Sequence, residues 1–202
     1  MKKLLTCIMV LAIAVSFMPI STFAATKSVK MMTYDQVFKS GNTAYCCGVE
    51  GVYRVKLSNG KVVSKKLLHK DPSYGDYSHC KGMKKKNGYI YYQITSEGTL
   101  YYLARVKASG GKYKTLSKLN DQGQIQYAIK GSKIYYKGDY GKTKKVMNLN
   151  GTGKKKTKVK AVTKHKNSNA KGYKVIMKQK GSKAITYLKT PKGTYKLGSH
   201  KL

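Results

Sequence analysis

Four times between Asn42 and the C-terminus the sequence repeats one layout, and this recurrence restricts the fold more than any other feature. The copies read "NTAYCCGVEGVYRVKLSNGK" from Asn42, "GYIYYQITSEGTLYYLARVKASGGK" from Gly88, "SKIYYKGDYGKTKKVMNLNGTGK" from Ser132 and "YKVIMKQKGSKAITYLKTPKGT" from Tyr173. Each opens on a short apolar strand holding Tyr45, Tyr91, Tyr135 or Ile176, then turns at a Gly, Asp or Ser. A second strand follows with Tyr53-Val55-Leu57, Tyr102-Ala104-Val106, Val146-Leu149 or Ile185-Tyr187. It ends in a glycine turn at Gly60, Gly110, Gly151 or Gly193, in steps of 50, 41 and 42 residues. Period-two alternation bounded by such turns predicts hairpins with one buried face.

A third short strand closes each copy: "KKLL" from Lys65, "YKTL" from Tyr113, "KTKV" from Lys156 and "TYKL" from Thr194. A fourth precedes it at "YDQVF" (Tyr34), "YSHCKGM" (Tyr77), "QIQYAI" (Gln124) and, weakly, "HKNSNAK" (His165). Capped apolar stretches at helical spacing are missing after the N-terminus. Tyrosine supplies nearly all the aromatic content, with 18 in the chain and no tryptophan, and its ring and hydroxyl suit strands that are partly buried. The expected fold is all-β, a β-propeller-like array of about four antiparallel three- to four-stranded blades. It spans residues 34–202, after a short N-terminal segment at 25–33.

The stretch "IYYKGDYGKTKKVMNLNGTGKKK" resembles the YWTD-type β-propeller blade of lipoprotein-receptor proteins, with its I-Y-W-x-D start and N-L-D-G-x end. The tandem "NGYIYY … YRVKLSNG" layout is similar to secreted bacterial proteins with a low-density-lipoprotein-receptor-related propeller domain. Tyr136 stands where that blade has tryptophan, and Asp139 is shifted by one residue. The resemblance covers residues 34–202. It implies a blade for each repeat, and interaction rather than catalysis.

Residues 1–24 read as a bacterial secretory signal peptide: Lys2 and Lys3, an apolar run from Leu4 to Ile20, then small residues before a cut after Ala24. Cys7 precedes most of the apolar run and is not placed for lipid attachment. No second long apolar segment follows, so the mature chain is expected to be released without a transmembrane segment. Three cysteines would then reach an oxidising compartment. Cys80 is expected to pair with Cys46 or Cys47, leaving one thiol over.

The seven acidic residues, Asp35, Glu50, Asp71, Asp76, Glu97, Asp121 and Asp139, are scattered, most of them in predicted turns. His69, His79, His165 and His200 have no metal-ligand spacing, and nucleophile, phosphate-loop and dinucleotide motifs are missing. The reading is therefore not an enzyme, with no cofactor and no metal. The rival class is an extracellular hydrolase using acids in a central channel.

Charge points to the partner. Removing residues 1–24 takes two of the 42 basic residues and no acidic one, leaving 40 against 7 and a net charge of +33. All but Arg54 and Arg105 are lysines, so contacts to nucleic acid would be unspecific, arginine being the usual reader of base edges. The field should instead draw in anionic cell-wall polymers, anionic lipid head groups or acidic glycans. The densest runs, Lys84-Lys85-Lys86 and Lys154-Lys155-Lys156, are the candidate polyanion contacts. The expected role is a secreted binding module retained at the cell envelope. A polyanion-binding protein whose fold is incidental is the other alternative. An unknown protein partner, or self-assembly, would also serve to cover the end sheets.

Overall fold

The structure is a computed structural model that describes residues 28–32, 36–70, 79–96, 100–120, 125–138, 140–164 and 170–201. The expected signal peptide at 1–24, Asp35, Asp71, Asp76, Glu97, Asp121, Asp139 and His165 lie outside them. The described chain is all-β and holds no α-helix. Ser28–Met32 forms β1. A first sheet follows from Val37–Ser40 (β2), Thr43–Gly48 (β3), Gly51–Ser58 (β4) and Lys61–Lys70 (β5), paired in chain order. The second has the same order: His79–Lys86 (β6), Tyr89–Ser96 (β7), Leu100–Lys107 (β8) and Tyr113–Asn120 (β9).

Turn chemistry explains these meanders. Asn59-Gly60 joins β4 to β5 with φ of 47° and 80°, and Asn87-Gly88 joins β6 to β7 with 47° and 74°. Two residues at positive φ make the hairpin turn whose twist matches that of the strands it connects. The same "KGSK" turn recurs at Gly131-Ser132 and Gly181-Ser182, each with its glycine at positive φ.

The third sheet departs from the three- to four-stranded expectation. Ile125–Lys130 (β10), Lys133–Gly138 (β11), Lys145–Asn148 (β12) and Lys155–Lys156 (β13) form its meander, and Lys160–Lys164 is β14. β1 enters between β10 and β14, giving the six-stranded order β13-β12-β11-β10-β1-β14. β1 runs parallel to β14, from Ser28 opposite Lys160 to Met32 opposite Lys164. A parallel pair needs no hairpin and so leaves no turn signal in the sequence. The fourth sheet has three strands: Lys174–Lys180 (β15), Lys183–Thr190 (β16) and Gly193–Lys201 (β17).

The inner strands do not have one buried face; they have two. Ala44 to Gly48 in β3 and Tyr91 to Ile94 in β7 are buried without a break, because sheets pack on both sides. The paired tyrosines follow from this. Tyr92 packs into the core between the first and second sheets, with Tyr45, Val52 and Ile90. Tyr91, one residue earlier, points the other way, into the core shared with Ile125, Tyr127 and Tyr136 of the third sheet. A third core joins the first and fourth sheets through Val37, Tyr53, Val55, Val175 and Leu188. The fourth cluster, Val29, Met31, Ala128, Tyr135 and Val146, belongs wholly to the third sheet. The cores thus link the sheets in a row, fourth–first–second–third, and among the described residues none closes the row into a ring.

Polar links fasten the row. Cys47 of β3 and Cys80 of β6 form a disulfide with Cα atoms 5.7 Å apart and a sequence separation of 33. Closing a loop of that length stabilises the fold by about 3–4 kcal/mol through the unfolded chain. The Tyr127 hydroxyl reaches from the third sheet to the carbonyls of Gly82 and Tyr91 (2.9 Å) in the second, sharing its one proton between them. Gly82 sits in a bulge of β6 with φ of 65°, and a Cβ there would meet the Tyr127 ring at 3.3 Å. Between the first and fourth sheets, Val49 N–H donates to Thr186 Oγ1 at 2.8 Å. Gly48 admits that approach, since a Cβ on it would stand 2.7 Å from the same hydroxyl oxygen.

Candidate polyanion-binding surface

Apolar residues fill the sheet interfaces, which drives the lysines to turns, outer strands and sheet edges. There they also discourage edge-to-edge pairing with other chains. Acids do not follow them. Beyond Asp139 the sequence carries 19 lysines and no acidic residue. Glu50 is the one acid among the described residues, and it is engaged: Tyr53 donates a hydrogen bond to its carboxylate. Burial first, then Glu50, pushes the Tyr53 phenol well above its ordinary value, so it stays protonated.

The two lysine runs lie on separate sheets. Lys154, Lys155 and Lys156 are exposed, at and just before β13 on the edge of the third sheet. Lys84, Lys85 and Lys86 are half-buried on β6, and the Lys85 ammonium lies 5.6 Å from the centre of the Tyr45 ring. The first run is therefore presented to solvent, whereas in the second Lys85 is laid against Tyr45 of the first sheet.

A better-formed basic site combines a tripeptide that sequence reading passed over with one that overlaps the Lys154-Lys155-Lys156 run at Lys156. Lys142-Thr143-Lys144 leads into β12 and Lys156-Thr157-Lys158 starts in β13. The pairing of Lys145 with Lys156 continues as Thr157 N–H donates to Lys144 O at 2.9 Å, which sets the tripeptides side by side. These six residues line an open cleft of about 480 Å³. Four ammonium groups and two hydroxyls surround it, and none of the four has an ion pair among the described residues. The signal was available as the repeated K-T-K, but only pairing across the turn makes it a site.

A second cleft, of about 330 Å³, opens between the second and third sheets. Arg105 of β8 lines it, with its guanidinium 4.2 Å from the centre of the Tyr89 ring and one N–H donated to Leu149 O at 3.1 Å. Asn87, Ser132, Asn148 and Asn150 supply the polar wall.

Cys46 and His69 have structural surroundings. Cys46 is buried and free, and burial pushes its thiol up to about 12 from an ordinary 9.0. His69 stacks on Tyr113 with ring centres 3.7 Å apart. Among the described residues no group of three or more His, Cys, Asp or Glu gathers as metal ligands would, and no helix is long and apolar enough to cross a membrane. No protein-family model matches the chain, and no curated protein matches it in sequence.

Proposed function

We propose that this protein is an exported, non-catalytic binding module whose four sheets are propeller-type blades and whose lysines hold it to anionic polymers of the cell envelope. The observation that carries this reading is the acid-free stretch beyond Asp139, whose 19 lysines include the four around the K-T-K cleft. The stretch has no carboxylate side chain to pair with them, and Glu50 is the one acid among the described residues, so the charge of the stretch is available to a partner. A phosphodiester polymer such as teichoic acid matches it: repeated single anions, flexible spacing and no need for a shaped pocket at each contact. The likeness to YWTD-type blades supports the architecture and an interaction role.

Titration of the mature chain against teichoic acid at stepped salt tests the proposal. Exposed charges are screened over about 10 Å at 0.1 M and about 3 Å at 1 M, so affinity should collapse across that range. Replacing Lys154, Lys155 and Lys156 by glutamine should weaken binding in part, and replacing Lys142, Lys144, Lys156 and Lys158 should weaken it further. Replacing Lys84, Lys85 and Lys86, which are less exposed, should weaken it least. Binding that survives 1 M salt, or no binding at 0.1 M, would overturn the proposal.

A further inference from the structure

The cleft around Arg105 differs in kind from the lysine surface. Arg105 is one of only two arginines in the chain, and it is half-buried. Its hydrogen bonds account for little of it: beside the Tyr89 ring that it stacks on, one N–H goes to Leu149 O, which also accepts from the Tyr91 hydroxyl at 3.2 Å. Its Nε is buried and has no hydrogen-bond acceptor, and no carboxylate among the described residues pairs with the guanidinium. A cation withdrawn from water with so little in return is costly unless an anion joins it. A merely structural staple to Leu149 uses one N–H of five.

The surroundings favour the same occupant. Tyr89 pairs across the sheet with Lys107, and Arg105 with Lys114, so both lysines share the face of the sheet that carries Arg105. Lys133 Nζ donates to Asn148 Oδ1 at 2.5 Å on the opposite wall. Among the described residues every charge here is positive. Neutral hydrogen-bonding groups complete the wall. Asn150 Oδ1 accepts from Thr152 N–H (3.1 Å) and Thr152 Oγ1 (2.7 Å), which leaves the Asn150 amide N–H groups uncommitted. The Ser132 hydroxyl and the Asn87 amide are likewise uncommitted among the described residues.

We infer that this cleft binds one anionic sugar unit, a hexose-sized ring carrying a single carboxylate or phosphate. Its anionic group lies against the Arg105 Nη N–H groups not given to Leu149 O, which donate charge-assisted hydrogen bonds to it. Its hydroxyls reach Ser132, Asn87 and Asn150. The cleft volume suits one such ring, within the lower range of small-molecule sites. A uronate and a sugar phosphate share this chemistry. The inference stands apart from envelope retention, since it needs one shaped site rather than a summed field.

The test is a nitrogen–proton NMR titration of the mature chain with glucuronate, glucose 1-phosphate, glucose and inorganic phosphate, at about 0.15 M salt so that diffuse attraction is damped. With only two arginines, the Arg105 side-chain signal is readily assigned. Saturable shifts confined to Arg105, Asn87, Ser132 and Asn150 are expected with glucuronate or glucose 1-phosphate, and whichever binds identifies the anionic group. Glucose and inorganic phosphate should bind at least about tenfold more weakly, each lacking one half of the recognised unit. Arg105→Gln should lower affinity by about tenfold or more, as loss of a charged hydrogen-bonded pair does. Ser132→Ala, whose side chain has no structural partner, should lower it severalfold with an unchanged melting curve. Glutamine at Lys142, Lys144, Lys156 and Lys158 should leave sugar binding intact even where polymer retention falls. Shifts that do not saturate, that spread over the lysines, or that persist at full strength in both the Arg105 and Ser132 variants would overturn the inference.

Discussion

Cys46 and Cys47 are neighbours in β3, and the pleat sends their side chains to opposite faces. Cys47 faces the second sheet and bonds to Cys80, whereas Cys46 faces the fourth and is sealed among Val37, Ala44 and Tyr53. A thiol raised to about 12 has almost no thiolate at neutral pH, which makes it unreactive even where oxidants are present. Iodoacetamide at pH 8 should leave Cys46 unmodified in the folded chain and label it once denaturant is present; rapid labelling of Cys46 in the native protein would contradict this. The raised value also has a stability consequence. The folded state keeps the Cys46 proton to higher pH than the unfolded chain, so the contribution is complete below about 9 and is lost as pH rises from 9 toward 12. Between pH 7 and 10 the native protein should lose about 1.4 kcal/mol more than a Cys46→Ala variant in paired denaturant melts.

At the scale of strands and sheets, hairpins were legible because each is written in contiguous residues. Alternating polarity and the Asn59-Gly60 and Asn87-Gly88 turns specify a local fold without reference to anything distant. The contacts between sheets were not legible, since they join residues far apart in the chain. Tyr127 reaches Gly82 across 45 positions, and Thr186 reaches Val49 across 137. Tyr127→Phe keeps the ring against Gly82 but leaves two carbonyls without their shared donor. It should cost roughly 1–3 kcal/mol, read as a lower urea midpoint with an unchanged slope. An unchanged midpoint would mean that the hydroxyl does not fasten the second sheet to the third.

For the whole molecule, charge opposes the fold that burial favours. With a net charge of +35 on the chain and Glu50 the one acid among the described residues, mutual repulsion of lysines is little compensated over the described surface. Added salt should screen it, so the melting temperature is expected to rise from low salt to about 0.5 M sodium chloride, over which the screening length falls well below 10 Å. A flat or falling melting temperature would show the lysines to be too far apart to repel. Polymer binding should move the opposite way over the same range, and that contrast separates the two effects.

The sequence by itself determined the strand-rich repeats, their tight turns, the sign and size of the charge and the three cysteines open to pairing, because each is a property of residue type or of short contiguous spacing. Tertiary structure decided which sulfur meets Cys80, since the choice depends on which sheet lies over which face of β3. It also decided that β1 enters the third sheet, as a parallel partner carries no local signal. Both clefts belong to the tertiary level. Their walls come from segments that meet only when strands pair, as the K-T-K tripeptides do, or when sheets stack, as Arg105 does against the turn at Leu149.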